Sequence, residues 1–291
     1  MPAFVDHLQL LPMPYLNGAR QPDGQHRPGG LGMATLSDLL NQRGWTARVE
    51  DLGFDKQMPE SRLAEAFARA IGDGVESAWD RNRFPIVLSR SGYVALGVID
   101  ALGGGTGVVW ASRPGGYRFG GMLRKPRLDE CSLALLTGRA KRDKLAIRPT
   151  RANGRGVIVL GADGAAPDER AAMKDDGIRV VPAAEAERLP TEVDRTGAEG
   201  WYLHVDCSVL AREAVPGVTA AVPGGLDPAR LVELVRASFR GRRLRAVAVV
   251  GYDLNDDPSG ATTGTVLSLV EAAAEAAGGV PRPETVGGGG G

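Results

Sequence analysis

Short, continuous apolar runs alternate with helix-length amphipathic segments along almost the whole chain. The runs at residues 8–11, 46–50, 86–88, 107–110, 157–160, 178–181, 201–205 and 246–250 predict eight strands. Several are unbroken in Val, Ile and Leu rather than alternating, the pattern of strands covered on both faces. Helical periodicity falls between them, at residues 34–42, 61–78, 93–101, 130–136, 169–175, 228–238 and 265–277. Such alternation predicts an α/β fold with a doubly wound, mostly parallel sheet and helices on both faces. Ligands of such sheets bind beyond the carboxyl ends of the strands. Residues directly after each strand are therefore the candidates for function. Stretches 17–32, 111–127 and 206–225 are rich in Gly, Pro and Arg and predict loops. The tail from residue 280, ending in five glycines, predicts disorder.

Composition narrows the partners. Of 291 residues, 43% are apolar and 24% charged, enough to fill a substantial core. The 35 basic and 35 acidic residues cancel, so no global field draws the chain to nucleic acid or an anionic membrane. No apolar run approaches the roughly 20 residues of a membrane helix, and the first residues lack the pattern of a secretory leader. Cys131 and Cys207 stand outside any Cys-x-x-Cys pair, which predicts free thiols and a cytoplasmic protein. Three histidines, His7, His26 and His204, are poor material for a His-rich metal cluster.

Several segments appear in a telling order. Leu10-Leu11-Pro12-Met13-Pro14-Tyr15 opens the chain, followed by Gly18 and Pro28-Gly29. Pro85-Ile86-Val87-Leu88 precedes Ser89-Arg90-Ser91-Gly92-Tyr93, and Gly107-Val108-Val109-Trp110 precedes Ala111-Ser112-Arg113-Pro114-Gly115-Gly116. Phe119-Gly120-Gly121-Met122 follows. The most specific stretch is Leu203-His204-Val205-Asp206-Cys207-Ser208, then Pro216-Gly217 and Gly224-Gly225-Leu226. Val249-Val250-Gly251-Tyr252-Asp253 closes the series. Together, across residues 8–278, these resemble the arginase/agmatinase (ureohydrolase) superfamily. The resemblance implies one domain over residues 1–278, a three-layer α/β/α architecture around an eight-stranded parallel sheet, and assembly as a trimer or hexamer.

It also implies a reaction in which two bridged manganese ions activate hydroxide against a guanidinium carbon. Hard divalent cations need several carboxylate oxygens and imidazole nitrogens at one spot. Here Gly92 stands where the first motif has its ligand His. Ser112, Pro114 and Gly116 replace Asp, His and Asp in the second. The third keeps Asp206 and has Ser208 for its other Asp, while Asp253 stands at an acidic position of the last. Arg90 and Arg113 have entered the motifs. The expectation is that manganese is absent and the family's hydrolysis is lost.

The residues left at these strand ends allow two readings. Ser89, Arg90, Ser91, Tyr93, Ser112 and Arg113 can form an anion site with hydroxyls, guanidinium forks and the amides of a helix starting near Gly92. Alternatively they fill vacated space and pair with Asp206 and Asp253. His204, Asp206 and Ser208 alternate onto one face of a strand, but i and i+2 lie about 6.5–7 Å apart, too far for a Ser-His-Asp triad. His204 is then a hydrogen-bonded core residue, and Cys207, on the other face, a buried inert thiol. Three functions fit: a pseudoenzyme or scaffold, alone or with an active relative; a metal-independent binder or enzyme for a small anionic or amino-acid-like ligand; and a divergent amidinohydrolase with rearranged ligands.

Overall fold

The unbroken apolar runs pair into one sheet, because strands that are apolar on both faces bury both only when helices cover each side. The computed structural model describes residues 6–13, 33–52, 60–120, 129–140, 151–218, 220–252 and 257–278. Its strands are β1 (His7–Met13), β2 (Thr46–Val49), β3 (Phe84–Ser89), β4 (Gly107–Ser112), β5 (Val157–Gly161), β6 (Arg179–Val181), β7 (Trp201–Asp206) and β8 (Leu244–Val250). They form an eight-stranded sheet in the order β2-β1-β3-β8-β7-β4-β5-β6, every pair parallel. All eight predicted strands are present.

The described helices are α1 (Met33–Gln42), α2 (Glu60–Asp80), α3 (Ala95–Leu102), α4 (Ser132–Leu136), α5 (Pro167–Asp175), α6 (Leu189–Thr196), α7 (Pro228–Phe239) and α8 (Ala261–Ala276). Side chains alternate faces along each strand, so the core divides in two. Ile86, Val109, Leu203 and Val247 pack with Leu36 of α1, Val193 of α6, Leu231 of α7 and Val266 of α8. Val87, Val108, Tyr202 and Ala248 pack with Phe67 of α2, Val98 of α3, Leu133 of α4 and Met173 of α5. The three-layer expectation holds. Among the described residues no helix is long and apolar enough to cross a membrane.

Sequence patterning missed α6. Its Pro190 looks like a break, yet it lies in the first turn, where the missing N–H has no helical partner to lose. Two predicted helices are also shorter than expected. Residues 92–94 and 129–131 are tight 3-10 turns that feed α3 and α4. The predicted loop 206–225 starts with a 3-10 turn at Cys207–Val209 and is tied back by bridges between Leu210 and Leu226 and between Ala211 and Val222. The opening glycine-rich loop and the tail lie outside the described residues.

Candidate functional site

Parallel pairing places the carboxyl ends of β3, β8, β7 and β4 side by side. Register then decides which side chains meet. Trp110 pairs with His204 and Ala111 with Val205, which puts Ser112 next to Asp206. The Ser112 hydroxyl donates to Asp206 Oδ2 at 3.3 Å. Asp206 Oδ1 accepts the Ser208 amide at 2.8 Å, capping the 3-10 turn that follows the strand. Both carboxylate oxygens are therefore engaged. The Ser208 hydroxyl is buried beside this carboxylate and helps to hold its charge, although its geometry falls short of a formed hydrogen bond.

Gly251, at the end of β8, makes room for the carboxylate. Its φ is +81°, and a Cβ there would lie 2.7 Å from Asp206 Oδ1. Any side chain would pay for the left-handed backbone and also push the carboxylate aside. Burial is the main influence on Asp206 and raises its pKa, while Ser208 and Ser112 lower it. The carboxyl thus contributes stability at low pH that is lost as pH rises from the ordinary carboxylate range through its raised folded value. Asp206→Asn keeps an acceptor for the Ser208 amide and removes the charge. We expect its Tm to rise at pH 7 by the equivalent of about 1 kcal/mol, with a flatter dependence of Tm on pH. A lower Tm would mean that the charge itself stabilises the fold.

His204 sits one pleat deeper on the same face, fully buried. Its ring stacks on Trp110 with centroids 3.7 Å apart and planes 6° from parallel. Nδ1 shares a 2.8 Å hydrogen bond with the Tyr202 hydroxyl. Burial without a charged partner drives its pKa down to about 3, so the imidazole is neutral. Nε2 has no hydrogen-bond partner among the described residues and lies 3.4 Å from where a Cβ on Gly92 would stand. The core-histidine reading therefore accounts for Nδ1 but leaves Nε2 open. Cys207 faces the opposite core, and burial, reinforced by Asp206, pushes its thiol well above the ordinary range. It is inert.

The β3 end carries Ser89, Arg90, Ser91 and Tyr93. The Ser89 hydroxyl donates to the Met13 carbonyl at 2.9 Å and accepts the Ser91 amide at 3.1 Å. Ser91 caps the next turn by accepting the Tyr93 amide at 3.3 Å, so that one amide of the turn is already engaged. Ser89 O also accepts the Gly251 amide at 3.1 Å, joining this loop to the β8 end beside Asp206. Arg90 and Gly92 are half-buried at its lip.

Arg113 turns away. Its backbone carbonyl accepts the Gly164 amide at 3.0 Å, and its guanidinium lies over Gly164 after β5. Asp206 makes no ion pair with Arg90 or Arg113 among the described residues, so that part of the space-filling reading is not formed. Asp253 lies outside the described residues, as does Asp256. Asp257 is committed to the entry of α8, its Oδ2 accepting the Thr263 amide at 2.7 Å and hydroxyl at 2.8 Å. No group of three or more His, Cys, Asp or Glu side chains converges among the described residues.

Residues that sequence reading missed hold the loop after β4. Glu169, fully buried on α5, accepts the Tyr117 amide at 2.9 Å through Oε1 and the Ala166 amide at 3.3 Å through Oε2. The Arg118 Nε lies 3.6 Å from it. The Tyr117 hydroxyl donates to Asp176 and accepts from Thr137 at 3.2 Å. Burial, the larger effect, and the Asp176 bond raise the Tyr117 pKa well above its usual value. The spacing of Glu169 from Ala166 was legible as half a capping box; its reach to Tyr117 was not.

A three-layer α/β/α sandwich with a carboxylate and hydroxyls at the strand ends of its central crevice defines the class. Residues 33–275 match the sequence model of the Arginase family. Among solved structures, the chain is similar to the arginase of Entamoeba histolytica in complex with L-ornithine (TM-score 0.77, 15% identity, 93% of this chain and 98% of that one). It is also similar to Bacillus subtilis arginase (0.73, 19%, 92% and 98%) and to Bacillus subtilis formimidoylglutamase (0.70, 16%, 93% and 86%). Staphylococcus aureus arginase is 23% identical over 165 residues, 53% of this chain and 55% of that protein, so the match spans about half the length of such relatives. The chain belongs to the arginase family.

Proposed function

We propose that this arginase-family protein binds a small anionic or amino-acid-like ligand at the carboxyl edge of its sheet through hydrogen bonds, without the pair of manganese ions, and does not hydrolyse guanidinium substrates. The observation that carries this reading is the state of two neighbouring groups. Asp206 has both oxygens engaged by Ser112 and Ser208, whereas the buried His204 Nε2 has no hydrogen-bond partner among the described residues. A buried polar nitrogen left unpaired costs free energy that a bound polar molecule or water would recover.

The donor set supports the same reading. Gly92, Ser112, Pro114, Gly116 and Ser208 stand at motif positions where the resemblance called for ligands. Neutral hydroxyls and glycines do not fit two hard divalent cations, which prefer carboxylate oxygens. The L-ornithine held by the Entamoeba histolytica arginase gives the ligand class its precedent on this fold. Ser89, Arg90, Ser91 and Tyr93 on one side and Ser112, Asp206 and Ser208 on the other form the proposed pocket wall, with Arg113 at its margin; Asp253, outside the described residues, belongs to the same proposed set. A cytoplasmic trimer or hexamer, or a mixed assembly with an active relative, belongs to the same proposal.

Two measurements test it. Elemental analysis after dialysis against excess manganese is expected to find far less than one ion per chain; close to two would overturn the reading. A thermal-shift series with amino acids, guanidino acids and small carboxylates is expected to give at least one stabilising ligand, whose effect falls at least tenfold in apparent affinity in Asp206→Ala. Equal binding by that variant would remove Asp206 from the pocket.

A further inference from the structure

We propose a second, separate binding site, for a phosphate group, in the cleft where α7 and α8 end. Both helices return from the carboxyl to the amino edge of the sheet, so this cleft lies on the edge opposite Asp206. Its volume is about 440 Å³ and its walls carry Arg236, Arg240, Arg242 and Glu275, with the backbone of Ala277 and Gly278. That volume suits a small molecule.

The guanidinium groups are unequally employed. Arg242 Nη1 donates to the Ser238 carbonyl at 3.0 Å and the Arg240 carbonyl at 3.3 Å, while Nη2 pairs with Asp194. That is ordinary capping of a helix C-terminus by a cation. Arg236 uses Nε on Glu275 at 2.7 Å and keeps its terminal nitrogens for other partners. The Arg240 side chain is exposed and makes no hydrogen bond or ion pair among the described residues. Among the described residues, three guanidinium groups thus face two carboxylates, Glu275 and Asp194, which leaves one positive charge over.

Arg236 and Arg240 are four residues apart on α7 and its end, the spacing at which like charges on a helix repel. An anion bridging them would convert that repulsion into two charge-assisted contacts, and planar guanidinium forks match phosphate oxygens. The other wall is chemically different. The Ala273 and Glu275 carbonyls of α8 accept the Ala277 and Gly278 amides, whereas those of Ala276, Ala277 and Gly278 accept no N–H among the described residues and favour a donor. A phosphomonoester whose organic part bears hydroxyl or amino groups satisfies both walls; inorganic phosphate satisfies the first alone.

The test is isothermal titration of the full chain at constant ionic strength with inorganic phosphate and, separately, glycerol phosphate. Saturable binding of at least one is expected, weakened at least tenfold in Arg240→Ala and several-fold in Arg240→Lys, which keeps the charge but loses the fork. Tighter glycerol phosphate would assign the site to a phosphomonoester; equal or tighter inorganic phosphate would assign it to the free ion. Arg240 is on the surface, so the variants are expected to fold, which an unchanged Tm without ligand would verify. Asp206→Asn is expected to bind phosphate as the wild type does, which separates this site from the carboxyl-edge pocket. No saturable heat with either probe, or unchanged binding in Arg240→Ala, would overturn it.

Discussion

Gly97→Ala is expected to lower the melting temperature by about 6–12 °C, the effect of roughly 3 kcal/mol on a domain of this size. Gly97 lies where α3 crosses α2, and a Cβ there would stand 2.0 Å from the Ala68 carbonyl oxygen and 2.9 Å from its carbon. The obstacle is backbone, which cannot swing away as a side chain would. Gly72 on the facing helix is also close, its Cβ position 3.3 Å from the Gly97 carbonyl oxygen. The two helices must therefore separate. Because α3 follows directly from the Ser91–Tyr93 turn, separation would also shift the pocket wall, and ligand binding should weaken with stability. Differential scanning calorimetry of the variant, beside the conservative Gly264→Ala on the open side of α8, decides the matter. Equal melting of Gly97→Ala and wild type would mean that the helices do not pack so closely.

Glu169→Gln is the second large effect. Each carboxylate oxygen accepts a backbone amide, from Tyr117 and from Ala166. A glutamine can accept at one and must present an NH₂ group to the other N–H. Leaving a buried amide unsatisfied against a second donor costs about 3 kcal/mol. The loss should fall on the loop after β4, so faster amide exchange at residues 115–118 is expected beyond the global change. The pH dependence has a definite sign. Burial, the largest influence, raises the Glu169 pKa in spite of the two amides and Arg118. The folded protein then holds a proton the unfolded chain has already released, and wild-type stability falls as pH rises from the ordinary glutamate range through the raised value. Glutamine does not titrate, so the gap between variant and wild type should narrow over that window. Urea midpoints from pH 4 to 7 would show it; a widening gap would mean that the carboxylate is stabilised, not strained, by its surroundings.

The fold was legible because its signals are local. Runs such as Val157–Gly161 and residues 246–250 are apolar on both faces, and only a sheet covered twice can bury them. The pocket was partly legible. Asp206, Ser112 and Ser208 were chosen by their place after strands, but which of them touch depends on register, which no single strand contains. The Trp110–His204 stack is likewise a cross-strand pair, set by the alignment of β4 with β7. His204 looked like a satisfied core residue, and its Nδ1 is; that Nε2 would face an empty glycine required the position of Gly92. Arg113 was assigned to the pocket by sequence proximity to Ser112, but its side chain leaves toward Gly164 because successive residues at a strand end diverge. Glu169 escaped notice because its partner Tyr117 is 52 residues away.

The order of the sheet has a consequence for biosynthesis. The two strands made last, β7 and β8, lie between β3 and β4, which are made much earlier. A nascent chain that has emerged only to residue 200 therefore holds two partial ribbons, each with a bare row of amide and carbonyl groups on its inner margin. Such margins recruit strands from other molecules. Both β7 and β8 must have emerged before the middle of the sheet can zip shut, so a translation pause before β8, or truncation ahead of it, should yield aggregates rather than a smaller working unit.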